Sequence, residues 1–375
     1  MSRDPVLRRA AISWALGGKL TPQRLWPVLR ARGGAEALLS SPESDLAVWL
    51  ESAERARAVL RSADDVAAER RAGQLERAGM RIVTAFDAEY PPLLAEISDP
   101  PFLLYASGNL ERLRLPAVGV VGSRAATRYG RDVAARLSRE LSQAGVTVVS
   151  GFARGVDEAA HQAAVGSPGG TIAVLGCGLD VDYPREHGSL KEAMRARDLL
   201  VSEFPPGTEP MPRNFPVRNR IIAGLCSGIV VVEASRRSGS LITARLSNEF
   251  GRDVFAVPGS VFSETSIGTH ELLRDGAILC RGAEDVLAEL FPAIGTGPIP
   301  TGAAAPSSAA LSEEARRVWE RLRKEEDATA EDLAQATDLP ASTVLAALFE
   351  LEEAGLAVFG EGGRYGARRN RTLKE

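Results

Sequence analysis

The sequence predicts an α/β protein built on a parallel sheet, with a small helical segment before it and a winged-helix pattern after it. Three observations carry that prediction. Between residues 117 and 257, short valine-rich runs alternate with helical stretches, the signature of parallel strands buried on both faces. Residues 6–72 instead carry apolar residues at helical spacing. Beyond a stretch rich in Pro, Gly, Ala and Ser, three helical segments run into a hairpin.

At 375 residues the chain is too long for one ordinary core. Its formal charge of −4 argues against a wholly basic nucleic-acid binder but leaves room for a local groove. Residues 211–252 are such a candidate, with seven arginines (213, 218, 220, 236, 237, 245, 252) against Glu233 and Glu249. Three scattered cysteines, Cys177, Cys226 and Cys280, fit a reducing cytoplasm and supply no zinc spacing, so no metal or cofactor is expected. No apolar run reaches the roughly 18 residues of a membrane span, and the N-terminus is a poor signal peptide.

In order, helices are predicted over 6–16, 22–32, 34–40, 44–50 and 53–72, with Trp14, Trp26 and Trp49 filling a small core. Proline follows Thr21 and Ser41, where its missing N–H does no harm at a helix start. A helix-hairpin-helix reading lacks a clear Gly-x-Gly turn. Residues 81–84 read as a strand, 90–94 as a turn or short helix, and 99–105 as extended. Strands then follow at 117–121, 146–150, 171–175, 199–202, 229–232 and 254–257, with 277–280 as a possible addition. Helices are expected at 128–145, 156–165 and from about 241, with Arg218 and Arg220 just before another. Expected boundaries are 1–76 for a SAM-like or helix-hairpin-helix-like domain, 77–291 for the core, 292–310 for a flexible linker and 311–375 for the winged helix. In the last, helices are predicted at 311–324, 329–336 and 342–354, and a hairpin over 355–366.

The chemistry is concentrated in the turns. Those at 122–124, 150–155, 176–178 and 234–240 all leave carboxyl ends of strands, so they gather on one sheet edge, where ligands of such sheets bind. The last carries Ser238, Gly239 and Ser240 into a helix, an anion-binding layout. Gly119-Val120-Val121-Gly122 lacks the third glycine of a dinucleotide fingerprint, and no P-loop is present. Arg124, Arg154, Arg218 and Arg220 suit repeated phosphate contact, while Phe152 and Phe215 could stack on bases or fill the core. Of the three histidines, His161 reads as a packed or hydrogen-bonded residue, and Asp157 and Glu233 read as orienting groups rather than an acid–base pair.

The turns resemble those of the DNA-processing protein A family (DprA, also called Smf). The resemblance is carried by Gly122-Ser123-Arg124, by Ser150-Gly151-Phe152-Ala153-Arg154-Gly155-Val156-Asp157 with His161, and by Phe215-Pro216-Val217-Arg218-Asn219-Arg220-Ile221-Ile222. Ser238-Gly239-Ser240-Leu241-Ile242-Thr243-Ala244 and Val254-Phe255-Ala256-Val257-Pro258-Gly259 complete it over roughly 99–287, and His270 departs from the family's usual asparagine. The resemblance implies an extended Rossmann-like core and a non-enzymatic role: a cytoplasmic homodimer that binds single-stranded DNA and loads the RecA recombinase in natural transformation. The nucleic-acid-binding residues it implies, with those of the glycine-serine turn, are Ser123, Arg124, Ser150, Gly151, Phe152, Arg154, Arg218, Asn219, Arg220, Ser238, Gly239 and Ser240. Two alternatives stay open. One is a nucleotide-hydrolysing enzyme like the lysine-decarboxylase-like phosphoribohydrolases, although the glutamate of their motif is missing at 238–245. The other is a winged-helix transcription regulator.

Overall fold

The computed structural model describes residues 41–49, 51–54, 56–57, 73, 75, 77–85, 87–294, 311–324, 327–353, 356–360 and 363–367. The helices predicted over 6–40, most of 53–72, the helix-hairpin-helix question and the side chains of Trp14, Trp26 and Trp49 lie outside them. The chain divides into two compact units, Met1–Ile299 and Pro300–Glu375.

The first unit opens with α1 (Glu43–Trp49), β1 (Arg81–Thr84), α2 (Pro92–Ala95) and β2 (Leu103–Gly108). Strand and helix then alternate through β3 (Ala117–Val121), α3 (Arg128–Gln143), β4 (Thr147–Ser150), α4 (Val156–Ala164), β5 (Thr171–Val174), α5 (Gly188–Arg197) and β6 (Leu199–Ser202). The series continues with α6 (Asn214–Leu225), β7 (Gly228–Val231), α7 (Gly239–Glu249), β8 (Asp253–Ala256), α8 (Ile267–Arg274), β9 (Ile278–Leu279) and α9 (Ala283–Leu290). Among these residues the strands form one nine-stranded sheet in the order β1-β2-β6-β5-β4-β3-β7-β8-β9. Only the β1–β2 and β2–β6 pairs are antiparallel.

Strand alternation divides the core between the two faces. Val118, Val120, Val148, Val230 and Val232 pack with Leu137 and Leu141 of α3, Val156 and Ala160 of α4 and Val286 and Leu287 of α9. Val121, Val149, Ile172, Val174, Ile229 and Val231 face the other way, against Leu94 of α2 and Ile221, Ile222 and Leu225 of α6. Thr127 caps α3, its hydroxyl accepting from Gly130 N at 3.1 Å. The chain leaves β3 and β7 on opposite sides of the sheet, and these strands are neighbours, so a crevice opens between their carboxyl ends.

The second unit contains α10 (Glu313–Leu322), β10 (Ala328–Thr329), α11 (Ala330–Thr337), α12 (Ala341–Glu353), β11 (Ala357–Phe359) and β12 (Arg364–Ala367). The three strands pair antiparallel as β10-β12-β11. Leu322, Leu333, Val344, Leu348 and Leu351 fill its core. The strand β10, which the sequence does not mark, ties the hairpin to the start of α11, where Thr329 and Asp332 form a reciprocal cap.

Candidate nucleic-acid interface

Two cavities of about 630 and 290 Å³ lie along the carboxyl edge of the sheet. Both are lined by Arg124, Ala125, Ala153, Tyr183 and Phe215, so they form one continuous trough. All four predicted turns reach it: Gly122-Ser123-Arg124 after β3, Gly151–Arg154 after β4, Gly176-Cys177 after β5, and Ser235 to Thr243 after β7.

Each wall has a local cause. Asp157, in the first turn of α4, folds the β4–α4 turn over itself: its Oδ2 accepts from Gly151 N at 3.1 Å and Ala153 N at 3.2 Å. Arg218 lies across that turn, Nη1 donating to Gly151 O at 2.6 Å and also to Val174 O. A Cβ on Gly151 would stand 2.7 Å from both Arg218 Nη2 and Asp157 Oδ2, so a larger residue must displace the groups that hold the turn. Burial raises the Asp157 carboxyl above its ordinary range, with Arg218 opposing. Burial also pulls the Arg218 pKa down to about 10, and it stays charged at neutral pH.

On the opposite side, Ser238 caps α7, its hydroxyl 3.3 Å from Ser240 N and 2.7 Å from Ser240 Oγ, so the helix begins two residues earlier than predicted. Its positive dipole end opens toward the larger cavity, beside Asn219, whose Nδ2 donates to Gly239 O. The Arg124 guanidinium carbon stands 5.1 Å from the centre of the Phe215 ring, and the Tyr183 ring lies 5.6 Å from it, tilted by 38°. Arg154 is exposed and paired with Glu186, an exchangeable surface contact.

Several expected residues are placed otherwise. Arg218 and Arg220 sit inside α6, not before it. Arg220 is turned away from the trough and pairs with Asp99 at 3.2 Å and Glu203 at 2.7 Å. The Ser150 hydroxyl is buried, donating to Val120 O at 2.6 Å. Phe152 is 2% exposed, its ring fixed between His161 and His187 at 5.8 and 5.3 Å, and has no stacking face to offer. The arginine excess of residues 211–252 also shrinks at the surface. Arg252 closes the carboxyl end of α6 by donating to the carbonyls of Ala223, Gly224 and Cys226, and Arg236 pairs with Glu271. Tyr183 is the trough residue that composition alone did not single out. Its position just after the glycine turn of β5 was the available signal.

The carboxylates and histidines are engaged in holding the frame. Glu233 accepts from Thr127 N at 2.9 Å, Thr127 Oγ1 at 2.6 Å and Thr265 Oγ1 at 3.2 Å. His161 Nδ1 is 2.7 Å from Thr171 Oγ1, and burial pushes its pKa from 6.5 down to about 3. The unfolded chain therefore takes up a proton between those values that the folded chain refuses. Stability from this site is complete above pH 6.5 and falls as the pH drops toward 3. The unfolding free energy should decline with a slope of up to about 1.4 kcal/mol per pH unit on this account; urea titrations of wild type and His161→Gln over that range check it, the variant having the shallower profile. Burial raises the thiol pKa values of Cys177, Cys226 and Cys280, to about 11 for Cys177 and about 12 for Cys280. His270 Nε2 lies 3.2 Å from Gly259 O, so it still serves its turn. Among the described residues no group of three His, Cys, Asp or Glu could hold a metal ion, and no helix is long and apolar enough to cross a membrane.

The sequence model of the DNA recombination-mediator protein A family matches residues 81–291, more than half of the chain. The chain belongs to that family. A second model, the DprA winged helix domain, matches residues 302–363, so the C-terminal unit is the family's winged helix. A putative DNA processing protein DprA of Mycobacterium tuberculosis is 40% identical over 82% of this chain and 80% of its own length. The DNA processing protein DprA of Streptococcus pneumoniae is 48% identical over 53% of this chain and 71% of its own. A crystal structure of DprA from that organism superposes with a TM-score of 0.68 at 38% identity, covering 77% of this chain and 99% of the other. A structure of DNA processing protein A from Helicobacter pylori, described for its single-stranded DNA binding mode, gives a TM-score of 0.51 at 30% identity, covering 57% and 97%. As a recombination mediator of the DprA family, the chain carries its trough within the matched core.

Proposed function

We propose that this DprA-family chain binds single-stranded DNA along the trough. Phosphates lie against Arg124, Arg154, Ser123, Asn219 and the α7 N-terminus, and bases lie against Phe215 and Tyr183. The observation that carries the reading is the stack of Arg124 over Phe215 on the seam shared by both cavities, a cation and a half-exposed ring side by side. That combination suits a sequence-tolerant strand, whose every nucleotide has a phosphate and a π face. The single-stranded DNA binding described for the Helicobacter pylori relative supports it. Loading of RecA onto incoming DNA during natural transformation, by a cytoplasmic homodimer, belongs to the same proposal and rests on family membership.

A holding role fits better than nucleotide hydrolysis. The trough-side carboxylate of Asp157, and that of Glu233 in a separate cavity, are occupied by backbone and hydroxyl donors. Fluorescence anisotropy with labelled oligo(dT) tests the site. Arg124→Ala and Arg154→Ala should each weaken binding about tenfold, roughly 1.4 kcal/mol, and the double variant should flatten the log–log salt slope by about 1.4 for two lost phosphate contacts. Unchanged affinity and slope in the double variant would overturn the site. RecA filament nucleation on strands precoated with the protein tests the loading step, and no acceleration there would remove it.

A further inference from the structure

In helix-turn-helix folds the later helix enters the major groove and reads bases through Arg, Lys, Asn or Gln. Here that helix is α12, and its sequence ASTVLAALFELEE holds none of them. One face of it, Val344, Leu348 and Leu351, is spent on the core. Another face is open and apolar: Leu345 is 51% and Phe349 63% exposed, one turn apart. Glu352 continues the strip and accepts from Phe359 N at 3.1 Å. That bond places Phe359, 49% exposed and 4.9 Å from the Tyr365 ring, at the strip's end. An exposed apolar patch on a small polar unit marks a contact surface.

We infer that this strip of the winged helix docks a cationic amphipathic helix of a partner protein, not DNA. Charge selects the occupant. Residues 311–375 contain fourteen Asp and Glu against ten Lys and Arg, a net charge of −4, and α12 itself carries Glu350, Glu352 and Glu353 with no Lys or Arg. Phosphates are repelled by that field, and so is the same unit of a second copy. A helix with apolar residues at i, i+3, i+4 and i+7 and lysines or arginines around them meets both the apolar strip and its acidic surroundings.

The test uses the full chain and a fluorescent Leu/Lys peptide with leucine at that spacing, against a scrambled peptide of the same composition. Wild type should bind the patterned peptide about tenfold more tightly. Leu345→Asp and Phe349→Asp, both at exposed positions, should erase the difference while leaving the melting profile unchanged. The direction is diagnostic, because charge attraction alone would make either Asp variant bind more tightly. Equal affinity of wild type for both peptides, or undiminished patterned binding by the variants, would overturn the inference. So would a dimer in sedimentation that Phe349→Asp splits, or duplex DNA binding that this variant abolishes.

Discussion

Arg218→Met is expected to cost about 3–5 kcal/mol of folding stability at neutral pH, the range for breaking a buried charge pair from one side. Arg218 is 3% exposed, and its guanidinium gives its hydrogen bonds to Gly151 O, Val174 O and Asn219 Oδ1. Methionine fills much of the volume but leaves those carbonyls without that donor and Asp157 without its cation. The pH dependence separates the two losses. Burial already raises the folded-state pKa of Asp157 above 3.8, and Arg218 is the largest opposing influence. In the variant that rise grows, so the folded state holds the proton to higher pH than the unfolded chain does. The carboxyl then favours folding below 3.8 and loses that contribution as the pH rises through the folded value. The deficit against wild type should be greater at neutral than at mildly acidic pH. Adding Asp157→Asn should recover the pH-dependent part and leave the hydrogen-bond part. Urea unfolding of wild type and the two variants at both pH values measures it, and a deficit that is the same at both would show that Asp157 is not the group left without its partner.

Arg218 also shows where sequence reading succeeds and where it stops. The runs at 117–121, 147–150, 171–174 and 228–231 announce their strands because a strand buried on both faces is apolar at most positions instead of every second one. From parallel strands, the gathering of four turns on one edge follows by geometry, and Arg124 and Arg154 are found there. The side chains behind the turns do not announce themselves. Arg218 and Arg220 are two residues apart in α6, and both read as surface cations. One is fixed by a turn 67 residues upstream and the other by Asp99, 121 residues away. Pairing of that kind is a tertiary fact, invisible to local spacing. Phe152 was ambiguous for the same reason. A ring in a glycine-rich turn can face either way, and His161 and His187 fix it inward. The antiparallel edge formed by β1 and β2 depends on long-range register as well.

Gly155→Val is expected to take away DNA binding more completely than either single arginine substitution, without replacing a residue proposed to contact the strand. Gly155 has φ 80° and ψ −116°, a conformation that side chains disfavour by about 1–3 kcal/mol. A Cβ there would lie 2.4 Å from Ser123 O and 2.8 Å from Arg124 O, a backbone clash that no rotamer change relieves. At this point the β4–α4 turn rests on the β3–α3 turn, and Val156 N donates to Ser123 O at 3.2 Å across the contact. The glycine therefore sets the spacing between Arg124 and Arg154. Valine must push the two turns apart, and two phosphate sites on one strand must match its fixed repeat to act together. Oligo(dT) affinity should fall beyond the roughly hundredfold expected for losing both arginine contacts independently. The melting temperature should fall as well, so binding is to be measured well below it, with folding confirmed by circular dichroism. Substitution by alanine gives the same clash with less bulk and should fall between. If Gly155→Val folds and binds like wild type, the two arginine turns do not act as one site.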